Sequence, residues 1–286
     1  QRIPTIMSDL SEEQALEVAT IYSTKIGLHS IPWRRPPFRN PHHTASAIAV
    51  IGGGSKPQPG EVSLAHHGIL FLDELPEFNR TVLEGLREPL ESGSVHIARV
   101  KAHISFPARF QLIATMNPCP CGYWGSNQKK CRCTFKQVQQ YQQRISGPML
   151  DRIDMQILVP PVDQDLLLKK QTNKIQETQL ETSMIVRQRI ILAQQLQYNR
   201  FQNLNGQITM KYLEPHTKLG SESQKILQRA ISKLNLSARS LYRILRVSRT
   251  IADLDQAEQI SSNHLAEALS YRALEERQVT HLESVL

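Results

Sequence analysis

The segment HHGILFLDELPEF, His66 to Phe78, decides the fold. Gly68 precedes four apolar residues, Ile69 to Leu72, which run straight into Asp73 and Glu74. A short run that is apolar at every position and bounded by glycine predicts a strand buried on both faces, as in a parallel sheet. In open α/β sheets ligands gather beyond the carboxyl ends of such strands. Neighbours on a strand point opposite ways, so the two carboxylates would reach different atoms of one site. Asp73 is suited to holding Mg²⁺ through water, and Glu74 to orienting or deprotonating an attacking water. The plain alternative is an Asp-Glu pair that opens a solvated loop. Nucleotide hydrolysis also needs a phosphate grip, and the G-x-x-x-x-G-K-[ST] loop that commonly supplies it occurs nowhere in the 286 residues.

Outward from this strand, strands alternate with helices. FQLIATMNP, Phe110 to Pro118, reads as a second buried strand ending near Asn117. That amide could sense or position a γ-phosphate, or simply begin a turn before Pro118. Between the two strands lie a helix over NRTVLEGLREPLES, capped by Asn79, and a hairpin over GSVHIARVKAHISFPARF. Upstream, Ser11 and Gln14 form a capping box for a helix with Ala15, Val18, Ala19 and Tyr22 on one face. HSIPWRRPPFRNPHH, residues 29–43, is proline-rich and reads as a long loop. Downstream come a helix from Phe135 to about Arg144, the turn SGPMLDR and a strand DMQILVPPV. Pro160 and Pro161 mark the expected boundary between an α/β domain with a parallel sheet, residues 1–161, and an all-helical domain, residues 162–286. The second comprises a long polar helix across 165–200 and three helices after Ser221.

Net charge is +8. That favours an acidic partner, nucleic acid being the commonest, or marks a merely basic soluble protein. No apolar run approaches the roughly 20 residues that cross a bilayer, and QRIPTIMSDL has no signal-peptide core or cleavage site. The four cysteines crowd into CPCGYWGSNQKKCRC, residues 119–133. Such clustering points to metal in a reducing, cytoplasmic compartment rather than to a disulfide framework. Cys119, Cys121, Cys131 and Cys133 offer four thiolates from two knuckles, suited to a closed, structural, tetrahedral Zn²⁺. An iron–sulfur cluster and four unliganded thiols are the alternatives. His42–His43 and His66–His67 invite a metal reading, but adjacent histidines on an extended chain diverge. Two basic regions are candidate nucleic-acid contacts. One is the hairpin tip with Arg99 and Lys101; the other is the loop with Arg34, Arg35 and Arg39 beside Trp33 and Phe38. A solvated basic surface would look the same.

The segments FRNPHHTASAIAVIGGG, PGEVSLAHHGILFLDELPEF, LREPLESG, PARFQLIATMNPCPCGY, RISGPMLDRID and SARSLYRILRVSRTIADL together resemble the magnesium-chelatase-like AAA+ ATPases, and within them the competence-associated ComM-like type. The resemblance covers nearly the whole chain. It implies an ATP- and Mg²⁺-dependent motor assembled as a hexameric ring, acting as a helicase on single-stranded or branched DNA. It also places the phosphate loop immediately upstream of Gln1, so the chain reads as the C-terminal portion of a larger ATPase, inactive alone. By resemblance Arg152 is the arginine finger, acting on a neighbouring subunit and therefore expected to be partly exposed. Its bland alternative is an ion pair with Asp151 or Asp154, and Arg144 is the second finger candidate. Arg239 matches the sensor-2 arginine of the helical lid, and the basic hairpin matches one that grips DNA in ring motors. A chelatase motor subunit and a zinc-stabilised, non-enzymatic adaptor remain alternatives.

Overall fold

The computed structural model describes residues 2–25, 27, 32–99, 102–126, 129–160, 181–234 and 236–272. Two compact units are present: Asp9–Ile153, and Asp154–Leu286 together with Gln1–Ser8.

In the first unit the strand β4 (Ile69–Leu72) is the centre of a three-stranded parallel sheet, with β1 (Phe38–Arg39) on one side and β7 (Gln111–Ala114) on the other. Its apolar run follows from its position, since Ile69, Leu70 and Leu72 are fully buried. Burying each contributes about 1.5–3 kcal/mol. Gly68 is required by proximity: a Cβ there would stand 2.0 Å from the Pro37 carbonyl oxygen, which accepts from the Ile69 N–H. β1 lies inside the proline-rich stretch expected to be a loop. β7, expected to be buried, is an edge strand and only partly covered.

Around the sheet pack α1 (Glu12–Ser23), α2 (Ala47–Ile51), a two-residue ladder of β2 (Gly52–Gly53) with β3 (Gln58–Pro59), and α3 (Glu61–Leu64). The capping box of Ser11 with Gln14 forms as its sequence requires. The helix expected over residues 79–92 is broken into α4 (Arg80–Gly85) and α5 (Arg87–Ser92). Pro89 explains the break, because its ring excludes a helical carbonyl four residues back, at Gly85, and it has no N–H to donate. Val82, Leu83 and Leu86 from this segment join Leu70, Leu72 and Met149 in the main core. The hairpin of β5 (Ser94–Arg99) and β6 (Ala102–Pro107) is antiparallel in the register Ser94↔Pro107 to Arg99↔Ala102. After β7 come the cysteine segment, α6 (Phe135–Gln142) and α7 (Gly147–Leu150).

The second unit is helical: α8 (Ser183–Phe201), α9 (Met210–Leu213), α10 (Ser221–Leu234), α11 (Ala238–Leu254) and α12 (Ser262–Ser270). Its core gathers Ile244, Ile251, Leu265 and Ala268, with Ile226 and Leu227 of α10 packed on them. In the last turn of α11, the fully buried Asp253 accepts from Arg200, Arg249 and Asn205. Among the described residues of DMQILVPPV, 154–160, the expected strand does not form. Gln156 makes one parallel bridge, to Arg272, and Val159 is 84% exposed. An apolar run ending in prolines lacks both a covered face and the donors that a ladder needs.

Candidate active site and metal centre

The sheet delivers the carboxylates to its carboxyl edge, and a residue from the neighbouring strand braces them. Leu72 pairs with Ala114 as the last rung, which sets Asp73 beside Thr115. The Thr115 hydroxyl donates to Asp73 Oδ1 at 2.5 Å and accepts from the Glu74 N–H at 3.2 Å. The Thr115 carbonyl accepts from the Leu75 N–H at 2.8 Å. Glu74 is left-handed, φ 55° and ψ 53°, a conformation that costs a non-glycine residue about 1–2 kcal/mol. The two N–H bonds to Thr115 hold it there. The turn ends the strand at Glu74, so the alternation expected of an extended pair does not describe it. Glu74 is half exposed, and its Oε2 lies 3.9 Å from His43 Nδ1. Thr115 was missed by sequence reading; its signal is a hydroxyl just beyond the last apolar residue of the strand paired with the Asp-Glu strand. Asn117 follows two residues on, exposed and beside Gly122, with Tyr141 of α6 bonded to its backbone.

The four cysteines converge. Cys119 Sγ lies 3.4 Å from Cys121 Sγ and 3.7 Å from Cys131 Sγ, and Cys121 to Cys131 is 3.4 Å. All four ligand atoms fall within 4.8 Å of one another. A tetrahedron with Zn–S of about 2.3 Å has edges of about 3.8 Å, whereas a disulfide needs about 2.05 Å. The spacing therefore fits a tetrahedral metal and excludes a bridged pair. Backbone N–H groups of Trp124 and Cys133 donate to the sulfurs of Cys119 and Cys131. Backbone donors from Arg132 and Tyr123 pull the Cys121 thiol down to about 6. Burial and the neighbouring sulfurs push Cys131 up to about 12. Such a cluster cannot carry four negative charges without a cation to balance them.

The arginines are differently placed. Arg152 follows α7; its Nε donates to the Arg87 carbonyl (3.1 Å), its Nη1 to the Pro148 carbonyl (2.7 Å) and its Nη2 to the Glu91 carboxylate. Its side chain is 9% exposed, less than expected of a residue that acts across a subunit boundary. The carboxylate that holds it is Glu91, and Asp154 instead accepts from Arg243 at 2.6 Å. Arg144 is 52% exposed and pairs with Glu77 at 2.9 Å. Arg239 sits exposed in the first turn of α11, whose cap is Ser237.

Two comparisons bear on this arrangement. The family profile described as "Magnesium chelatase, subunit ChlI" matches residues 1–167, and its C-terminal companion, "Magnesium chelatase, subunit ChlI C-terminal", matches residues 180–272. The chain belongs to the ChlI family. Within this family of AAA+ ATPases it is similar to "Uncharacterized protein YifB" of Escherichia coli, 45% identical over 287 residues, covering all of this chain and 55% of that protein. It is also 44% identical to "Competence protein ComM" of Haemophilus influenzae over 276 residues, 96% of this chain and 52% of that one. The chain thus spans about half the length of the curated relatives it matches.

The remaining candidates of this ChlI-family chain divide by what already holds them. Arg39 makes a two-point pair with Glu61, at 2.6 and 3.0 Å. Arg34 donates through Nε to the Leu10 carbonyl at 2.8 Å, whereas Arg35 and Trp33 are exposed. Arg99 ends β5; its side chain and Lys101 lie outside the described residues. His66 and His67 do not diverge, because His67 is left-handed (φ 56°). Both Nε2 atoms meet Glu17 Oε2, at 3.0 and 2.6 Å. Geometry alone would suit a metal, yet His66 Nδ1 accepts from the Arg109 N–H at 3.0 Å. The His66 proton is therefore on Nε2, donated to Glu17, and His66 offers no lone pair to the cluster. Burial lowers His66 to about 4, keeping it neutral. Among the described residues no helix is long and apolar enough to cross a membrane.

Proposed function

We propose that this chain is the hydrolytic and lid portion of a ring-forming, hexameric AAA+ ATPase that moves along single-stranded or branched DNA. The observation that supports this most is the Asp73–Glu74 pair braced by Thr115 at the edge of the parallel sheet. Asp73 would hold Mg²⁺, its carboxylate oriented by the Thr115 hydroxyl. Glu74 would orient and deprotonate the attacking water, and Asn117 would position the γ-phosphate side. Bound Mg²⁺-ATP supplies the phosphoryl group and its charge neutralisation. Arg152 keeps the finger role, with Arg144 as the more exposed alternative, and Arg239 that of sensor 2; these roles rest on the family resemblance. The cysteine segment is a structural zinc knuckle. The 286 residues contain no phosphate loop, so the chain alone should not turn over ATP.

The family description supports a second reading, the motor subunit of a metal chelatase. The net charge of +8 and the four-cysteine segment favour DNA. A non-enzymatic adaptor has no use for a braced carboxylate pair. The test is ATP hydrolysis by the full-length protein, with and without single-stranded DNA. Stimulation supports the DNA motor, hydrolysis indifferent to DNA favours the chelatase, and no hydrolysis leaves the adaptor.

A further inference from the structure

From Ser223 to Ala252 the chain has no acidic residue, although 26 of its 286 residues are acidic. The same thirty residues carry seven cations: Lys225, Arg229, Lys233, Arg239, Arg243, Arg246 and Arg249. Several of these have partners within the chain. Arg243 pairs with Asp154, Arg246 donates to the Ile208 carbonyl and Arg249 pairs with Asp253. Lys225, Arg229 and Lys233 lie together on one helix face. They recur every fourth residue along α10, all exposed, with Gln228 and Ser232 between them on the same open face.

A solvated helix face ordinarily interleaves acids with bases four residues apart, because such pairs stabilise the helix. Here the only acid of α10 is Glu222, in its first turn, where it complements the helix dipole. Among the described residues neither Lys225 nor Arg229 is paired with a carboxylate, whereas Arg189, Arg200, Arg243 and Arg249 of the same unit are. The opposite face of α10 is fixed by Ile226 and Leu227 on the helical core, so the cationic face has one orientation. Steps of four residues are about 6 Å along a helix. Three long cationic side chains thus spread over about 12 Å, enough to meet successive phosphates of one strand. The interleaved Gln228 and Ser232 add neutral donors for phosphate oxygens.

We propose that the Lys225–Arg229–Lys233 face of α10 is a contact surface for the phosphodiester backbone of single-stranded DNA, read without regard to sequence. This deepens the reading of the chain as part of a DNA motor and rests on it.

The experiment is fluorescence anisotropy with a labelled single-stranded oligonucleotide, titrated at several salt concentrations. It compares the wild type with the triple variant Lys225→Gln, Arg229→Gln, Lys233→Gln. A control variant removes the same charge elsewhere on the surface, at Lys56→Gln, Lys136→Gln, Lys211→Gln. At about 0.7 counterions released per phosphate contact, the slope of log affinity against log salt should flatten by about 2 in the first variant, and hold in the control. Arg229→Glu alone should weaken binding more than Arg229→Gln, with unchanged thermal unfolding. Equal loss in both triple variants, or an unchanged slope in the first, overturns the α10 surface and leaves the DNA reading standing. A wild type with no salt-dependent binding overturns both.

Discussion

The cysteine knuckle provides the sharpest test, because its residues cannot order themselves. Among the described residues of 119–133 only Cys119 is buried, and Trp124 meets Phe135 of the flanking helix at a ring distance of 6.4 Å. Fixing the backbone of some fifteen residues costs about 15 kcal/mol or more, against about 1 kcal/mol from the ring pair. A structural zinc site contributes about 10–16 kcal/mol, the same size as the deficit. Metal, not packing, should therefore decide whether this segment is ordered, while the core around β4 stays folded without it. We expect one zinc per chain in protein purified without added metal, measured by elemental analysis, and little in the Cys131→Ser variant. Chelation should expose Lys129 and Lys130 to trypsin and leave the unfolding of the sheet core nearly unchanged. Iron in place of zinc would keep the site and overturn the assignment of the metal. Metal-free protein whose residues 119–133 still resist trypsin would refute the reasoning altogether.

The other predictions concern the carboxylate edge, the buried histidine and the helical unit. Calorimetry should find no saturable ATP binding by the 286-residue chain at micromolar concentration, since no phosphate loop is present to supply backbone amides and lysine; micromolar affinity would mean that the site lies elsewhere. In the whole protein, Glu74→Gln and Arg152→Ala should each bind ATP and fail to hydrolyse it, and mixing them should restore some turnover through interfaces with one intact residue of each kind. No recovery from demonstrably mixed rings would move the finger to Arg144. His66, lowered to about 4 from 6.5, takes up its proton earlier in the unfolded chain. Stability should therefore be full above about pH 6.5 and decline as pH falls toward 4, by about 3 kcal/mol. His66→Gln should flatten that decline in urea titrations, and an unchanged pH profile would show that His66 is not its source. Asp253→Ala leaves the buried Arg249 and the bidentate Arg200 without their carboxylate and should cost about 3–5 kcal/mol; a loss below about 1 kcal/mol would mean that the network is not stabilising.

How much of this was legible in sequence depends on whether a residue's role is set by its own strand or by a neighbour's. The apolar run of β4 declared itself because burial on both faces leaves a local mark. The capping box at Ser11 and the helices after Ser221 did the same through spacing. β1 left no such mark: Phe38 and Arg39 pair with β4 only because Gly68 allows the Pro37 carbonyl to approach, a fact about two distant segments. Pro89 could have been read as a break in its helix, since the clash with Gly85 is local. Thr115 could not, because its importance comes from register: only the pairing of Leu72 with Ala114 sets its hydroxyl between Asp73 and Glu74. The histidine pair shows the reverse. Adjacent rings were expected to diverge, and one left-handed residue, His67, turned both onto Glu17. Glu74 has the same conformation beyond the opposite end of the same strand. β4 is thus bounded by two left-handed non-glycine residues. His67 is held there by its N–H bond to the Arg109 carbonyl, and Glu74 by its N–H bond to Thr115. Both clamps come from the β7 side of the sheet, at Arg109 just before that strand and Thr115 just after it. The strain that aims the carboxylate edge is therefore secured by β7 and its flanks, and Thr115→Val should loosen Glu74 while leaving the buried rungs of β4 intact.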